Sequence, residues 1–175
     1  MAVDFSPQLL AELRGRAVGL PIRTVEDDLL NFDKHFEGQA QLVVCMGDTL
    51  PHLESLDAVQ ALLSRLGRAL AGDGMLILTF RDYVSAEPQG MSRFIPVKSD
   101  ETKILTCFLE YREKVVEVYD LLYRREGEGW VLDVSSYPKL RLNKNWISEQ
   151  LGKAGLRVIR NETSQGMVMI VARKD

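Results

Sequence analysis

Acidic side chains follow the early apolar runs of this 175-residue sequence, where carboxylates can do recognition chemistry. Asp4 comes after Ala2-Val3, and Asp27-Asp28 follow the run from Ile22 to Val25. A carboxylate at the carboxyl end of a strand can accept hydrogen bonds from both ribose hydroxyls of a nucleoside, which makes Asp4 a candidate for that role. A plain helix-entry acid is the alternative, and a nicotinamide dinucleotide would be served as well as any other nucleoside. Asp28 can accept from an adenine amino group, with Leu29 offering its backbone N–H and an apolar edge. Asp27 competes for that role, and a solvated acidic turn is the simpler account.

A second set lies beyond two longer apolar runs. Cys45, Met46 and Gly47 end the first of them, and Gly47 permits close backbone approach to a ligand. Position alone supports that reading, since such residues are as a class core formers. Asp48, His52 and the trio Arg81-Asp82-Tyr83 come just after strand ends, on one rim. Histidine can act as a general base near neutral pH, deprotonating an amine or hydroxyl. A lone histidine after a strand also serves as a local hydrogen-bond maker. Arg81 can hold an acidic group through its planar fork of donors, or pair with Asp82 at the surface. Tyr111, Tyr119, Tyr123 and Tyr137 read as sheet packing first and a substrate wall second.

The elements that must position these residues begin with Ala2-Val3-Asp4 as a short strand, and Ser6-Pro7 then opens a helix. Leu42 to Met46 is an unbroken apolar run, expected for a parallel strand covered on both faces. Asp57 and Gln60 have capping-box spacing, and Val59, Leu62, Leu63, Leu66 and Leu70 repeat at helical period. Gly72-Asp73-Gly74 ends that helix and Met75 to Phe80 is the next strand, a right-handed crossover unit. Ile104 to Tyr111, Val115 to Tyr123 and Trp130 to Tyr137 form strands joined by turns too short for crossovers, hence an antiparallel meander. Trp130, Leu132 and Val134 alternate with Asp133 and Ser135, predicting one covered face. Asn145 caps a helix ended by Gly155, and Leu156 to Ile159 and Met167 to Ala172 close the chain as antiparallel strands.

The fold class expected is α/β in a single domain, 1–175. Its Rossmann-like, mostly parallel sheet ends in an antiparallel hairpin and carries an inserted three-stranded antiparallel meander at 103–142. The composition is 46% hydrophobic and 27% charged, which excludes a disordered chain. A net charge of −3 argues against nucleic acid or an anionic membrane as partner. Two cysteines without metal or disulfide spacing, no metal site, and no signal pattern or apolar span point to a cytoplasmic protein.

These motifs together resemble the class I S-adenosylmethionine-dependent methyltransferases, small-molecule type. AVDFSPQLL resembles the end of that family's second strand, VEDDLL its third-strand motif, LVVCMGDTLPHL its fourth and LAGDGMLILTFRDY its fifth. The resemblance implies S-adenosylmethionine as cofactor, held by Asp4, Phe5, Asp28, Leu29, Cys45, Met46 and Gly47, with Met46 near adenine or the sulfonium. It implies a small-molecule methyl acceptor held by Asp48, Arg81 and Tyr83, with His52 as the catalytic base. Two rival readings are a non-catalytic remnant acting by association and a dinucleotide-binding oxidoreductase.

The family opens with a strand and a glycine-rich turn, and no such turn precedes Asp4. On this reading the chain is N-terminally truncated and binds cofactor weakly or not at all. The absent strand lies between the second and the fourth, so two inner edges are left unpaired, at a cost of ~1–3 kcal/mol per unmade buried hydrogen bond. Direct pairing of those two strands or a second copy must close the gap. Only Ala2 to Phe5 remain to pair, so a homodimer is expected.

Overall fold

The computed structural model describes all residues from Met1 to Asp175. Strand β1 (Ala2–Asp4) leads into α1 (Pro7–Arg16), where the Ser6 side chain accepts from the Leu9 N–H and Pro7 occupies the first turn. Strand β2 (Thr24–Glu26) pairs parallel to β1, and the two form a separate small sheet. A 3₁₀ helix (Leu29–His35) follows, then β3 (Ala40–Cys45), a 3₁₀ turn (Leu50–His52), α2 (Leu56–Ala69) and β4 (Leu70–Arg81). Ser55 caps α2 through the Ala58 N–H, so the expected cap near Asp57 lies two residues too late.

The principal sheet is completed from the far end of the chain. Helix α3 (Lys144–Lys153) is capped by Asn143, not Asn145, and Gly155 ends it at φ 77°. Strands β9 (Leu156–Ser164) and β10 (Met167–Lys174) form the expected hairpin, turning at Gln165-Gly166 with both φ positive. The order is β3-β4-β10-β9, with β3 parallel and β10 antiparallel to β4. Helices α2 and α3 pack side by side on one face of this sheet. Leu62, Leu63, Leu66, Ile147 and Leu151 bury there against Leu76, Leu78, Phe80, Val168 and Ile170. Gly67 is the contact point, since a Cβ there would lie 2.4 Å from the Ala154 carbonyl oxygen.

Between β4 and α3 stands a second antiparallel sheet of four strands, not three: β5 (Phe94–Ser99), β6 (Lys103–Tyr111), β7 (Val115–Glu126) and β8 (Gly129–Leu140). Pro96 disguised β5 in the sequence, and its place on an edge strand beside a bulge is where proline is tolerated.

Two expectations about coverage fail. Leu42 and Val44 are 52% and 54% exposed, so β3 is covered on one face only. Trp130, Leu132 and Val134 are likewise exposed, and no element lies over that side of β8. The gap between β1 and β3 is not closed by pairing, because each bonds only to its other neighbour. An apolar slot of about 340 Å³ lies there instead, bordered by Val3, Leu29, Phe32, Val43, Val44 and Cys45 among others. No helix is long and apolar enough to cross a membrane.

Candidate functional site

The strand ends beside this slot carry the first group of candidates. Asp4 closes β1, and one carboxylate oxygen accepts from the Ser6 N–H at 2.8 Å, which steers the chain into α1. Its other oxygen makes no hydrogen bond within the protein. Asp28 behaves in the same way, with Oδ1 accepting from the Leu30 N–H at 2.7 Å as the cap of the 3₁₀ helix and Oδ2 left unbonded. Asp27 is consumed internally. It accepts from the Asp28 N–H and the Asn31 amide and lies 2.6 Å from His35 Nε2. Those bonds, His35 foremost, hold its carboxyl down at about 2. The competition between neighbouring acids thus leaves Asp28 as the one with capacity to spare. Leu29 packs on the core and lines the slot, whereas Phe5 is 79% exposed.

The end of β3 is shaped by backbone. Gly47 and Asp48 take φ of 76° and 73°, a sharp left-handed pair that glycine adopts freely and aspartate tolerates. The Gly47 N–H donates to Thr79 Oγ1 at 2.9 Å, tying the turn to β4. No atom lies within 4 Å of where a Gly47 Cβ would stand, so the outer side of the turn is open space. Met46 is half exposed beside it, whereas Cys45 is buried and burial raises its thiol to about 11, far from nucleophilic use.

Asp48 turns inward. Its buried carboxylate accepts from the Arg81 N–H at 2.7 Å, from the Tyr83 hydroxyl at 3.2 Å and from Lys139 Nζ at 2.5 Å. Tyr83 is buried too, edge-on to Tyr111, and burial together with Asp48 drives its hydroxyl strongly upward. Asp48 and Tyr83 therefore build the rim, and Arg81 stays exposed with no ion pair to Asp82. Asp82 instead binds the Val84 and Ser85 N–H groups in a turn.

The second sheet contributes residues that sequence patterning did not single out. Lys139 of β8 places its ammonium against the Tyr83 and Tyr137 rings, 6.0 and 5.8 Å from their centroids. Tyr137 stacks on His52 at 5.3 Å. Arg141 sews the loop after β4 to the sheet by donating to the Tyr83 and Arg112 carbonyls and pairing with Glu87. Burial and the Lys139 charge lower the His52 pKa, against a smaller opposing pull from Asp48. An imidazole half-shielded by an aromatic ring, its other side open to solvent, can accept a proton. The pairing of His52 with Tyr137 depends on the register of β8 across the molecule, and no local pattern carries that signal.

No protein-family model matches the chain, and no curated protein matches it. Solved structures do. An S-adenosylmethionine-dependent methyltransferase from Clostridium acetobutylicum is 16% identical, with a TM-score of 0.78 over 99% of this chain and 74% of its own. An amino pentose methyltransferase from Micromonospora echinaspora, solved with S-adenosylmethionine, is 15% identical with a TM-score of 0.80 over 99% and 72%. A sugar N-methyltransferase from Streptoalloteichus is 13% identical with a TM-score of 0.75 over 99% and 70%. The chain accordingly has a fold shared with solved S-adenosylmethionine-dependent methyltransferases, among them an amino pentose methyltransferase and a sugar N-methyltransferase.

Proposed function

We propose that this chain binds S-adenosylmethionine at the ends of β1, β2 and β3 and serves methyl transfer to a small-molecule amine or hydroxyl. The observation that carries the reading is the pair of unbonded carboxylate oxygens on Asp4 and Asp28, at and just beyond the ends of the paired strands β1 and β2, together with the open Gly47 turn after β3. Two acceptors at neighbouring strand ends fit the ribose hydroxyls and the adenine amino group. Leu29 and Met46 give the adenine apolar contact. When bound, the cofactor supplies an electrophilic methyl on a sulfonium, whose transfer depends mainly on alignment with the nucleophile. The chain's own part is then to orient the acceptor and to take its proton. His52, neutral and stacked on Tyr137, suits the second task, and Tyr111 and Tyr137 wall the first. An amine acceptor agrees with the amino pentose and sugar N-methyltransferases that share the fold.

Ligand-detected NMR with S-adenosylhomocysteine tests this directly, because it registers weak binding. Saturation transfer to the ribose and adenine protons is expected, and Asp4→Ala should cost about 1.5–3 kcal/mol, a tenfold or greater loss. Undiminished transfer in that variant would show that Asp4 does not hold the ribose.

A further inference from the structure

The second sheet has a face turned away from the rim. Lys139 and Tyr137 share one side with their β7 partners Val116 and Val118, so Phe108 and its partner Tyr119, one position out of phase, lie on the other. The register aligns Phe94 with Phe108 and Phe108 with Tyr119, which sets three aromatic rings side by side across β5, β6 and β7. Their centroids lie 4.8 and 5.9 Å apart and their planes are tilted by 41° and 46°, so the rings do not stack flat. They wall a hollow of about 220 Å³ that Leu121 and Glu110 complete, far larger than one water needs.

Two carboxylates stand at this hollow. Glu110 and Glu117 are direct cross-strand partners on the same face, a pairing that repels. Glu110 accepts from the Tyr119 hydroxyl at 3.2 Å and from Arg112 at 2.9 Å. Glu117, half-buried beside it, has no cation paired to it.

The Phe108 ring already draws a cation. Arg93, at the end of a short 3₁₀ turn (Gly90–Arg93), holds its guanidinium carbon 4.8 Å from the Phe108 centroid. Its side chain makes a single long hydrogen bond, to the Gly90 carbonyl at 3.5 Å. A ring attracts a cation through the negative face of its quadrupole, most strongly where water is excluded. Arg93 is therefore a loosely held stand-in from the protein itself.

We propose that this hollow binds a small quaternary ammonium, its methyl groups on Phe94, Phe108, Tyr119 and Leu121 and its charge toward Glu110 and Glu117. A primary ammonium or a guanidinium needs directional acceptors, whereas a quaternary one is served by ring faces and nearby carboxylates alone. The site is separate from the proposed methyl-acceptor side, because the sheet itself stands between this hollow and the His52–Tyr137 stack.

Choline titrated into the 175-residue protein and followed by NMR tests this. The control is the neutral alcohol of the same shape, with tert-butyl in place of trimethylammonium. The ring resonances of Phe94, Phe108 and Tyr119 are expected to shift and saturate in the millimolar range with choline, and about tenfold more weakly with the alcohol. Arg93→Ala removes the competing guanidinium and should tighten choline several-fold. Phe108→Leu keeps an apolar side chain without the ring and should weaken choline by about tenfold. Equal binding of the two compounds would overturn the proposal and leave a plain apolar hollow. Weaker choline binding in Arg93→Ala, or rings that choline does not move in a monomeric protein, would overturn it too. Rings already shielded and unmoved, with a dimer by light scattering, would overturn it in favour of self-association through this face. The titration uses no S-adenosyl compound, so its outcome is independent of the Asp4 experiment.

Discussion

Along β4, Leu76, Leu78 and Phe80 are wholly buried against α2 and α3, while Met75, one residue out of phase, is 39% exposed on the other side. Along β3, Cys45 is 8% exposed and Val44 is 54% exposed. Both faces are written in the same apolar alphabet, and only one of them has helices. The comparison separates two things that an apolar run in a sequence conflates. The run says that a strand is suited to burial, and the neighbouring elements decide whether burial occurs. Energetically the inner face supports the molecule, and the outer face, still in water, contributes little.

The strongest way to break that comparison is to truncate one side chain on each face. Phe80→Ala should cost about 3–5 kcal/mol, because a fully buried ring leaves a cavity. Val44→Ala should cost below about 1 kcal/mol, since little apolar area returns to water. Urea unfolding measures both, and comparable losses would mean that the outer face is covered in solution.

A smaller effect is expected at the seam between the sheets. Asp48→Ala strands the Lys139 ammonium, 12% exposed, beside two aromatic rings, and should destabilise by about 3 kcal/mol. Lys139→Met in the same background should recover part of that loss, because the charge without a partner goes with it.

Glycines sharpen the contrast further. Gly67→Ala drives a methyl into the Ala154 carbonyl at the α2–α3 contact and should cost about 1–3 kcal/mol. Gly15→Ala, in α1 with no atom near its Cβ position, should stabilise by up to about 1 kcal/mol through helix propensity. Thermal melts of the two variants should therefore move in opposite directions.

The smallest effect is a titration. His52 should protonate below the ordinary histidine value near 6.5, followed through its ring protons. Lys139→Gln should raise that midpoint and Asp48→Asn should lower it. The unfolded state binds this proton more readily than the folded one. The contribution of His52 to stability is therefore complete above the unfolded midpoint and is lost as pH falls through the lower folded one.

Strand–helix–strand order from Leu42 to Phe80 and the closing hairpin were legible because period and turn length are local quantities. Caps were misplaced by two residues at Ser55 and Asn143, since several polar residues precede each helix and only backbone geometry chooses among them. Strand β5 was hidden by Pro96, whose missing N–H is harmless only at an edge that the sequence does not label. For the candidate site, residue type at strand ends was enough to single out Asp4, Asp28 and His52 as candidates. Lys139 and Arg141 were not, because their meaning depends on which residues the second sheet brings to Asp48 and Tyr83.

The Asp48–Lys139 pair also sets an order in time. Its partners are 91 residues apart in the chain, and neither can reach the other until β4 and β8 stand in place. Closing so long a loop is entropically slow, as is the pairing of β10 with β4, so the rim around Asp48 and the far half of the principal sheet both assemble late after dilution from denaturant. Until then the Asp48 turn at the end of β3 and the Tyr83 hydroxyl lack their common anchor, and the local unit from β3 through α2 to β4 stands with its rim open.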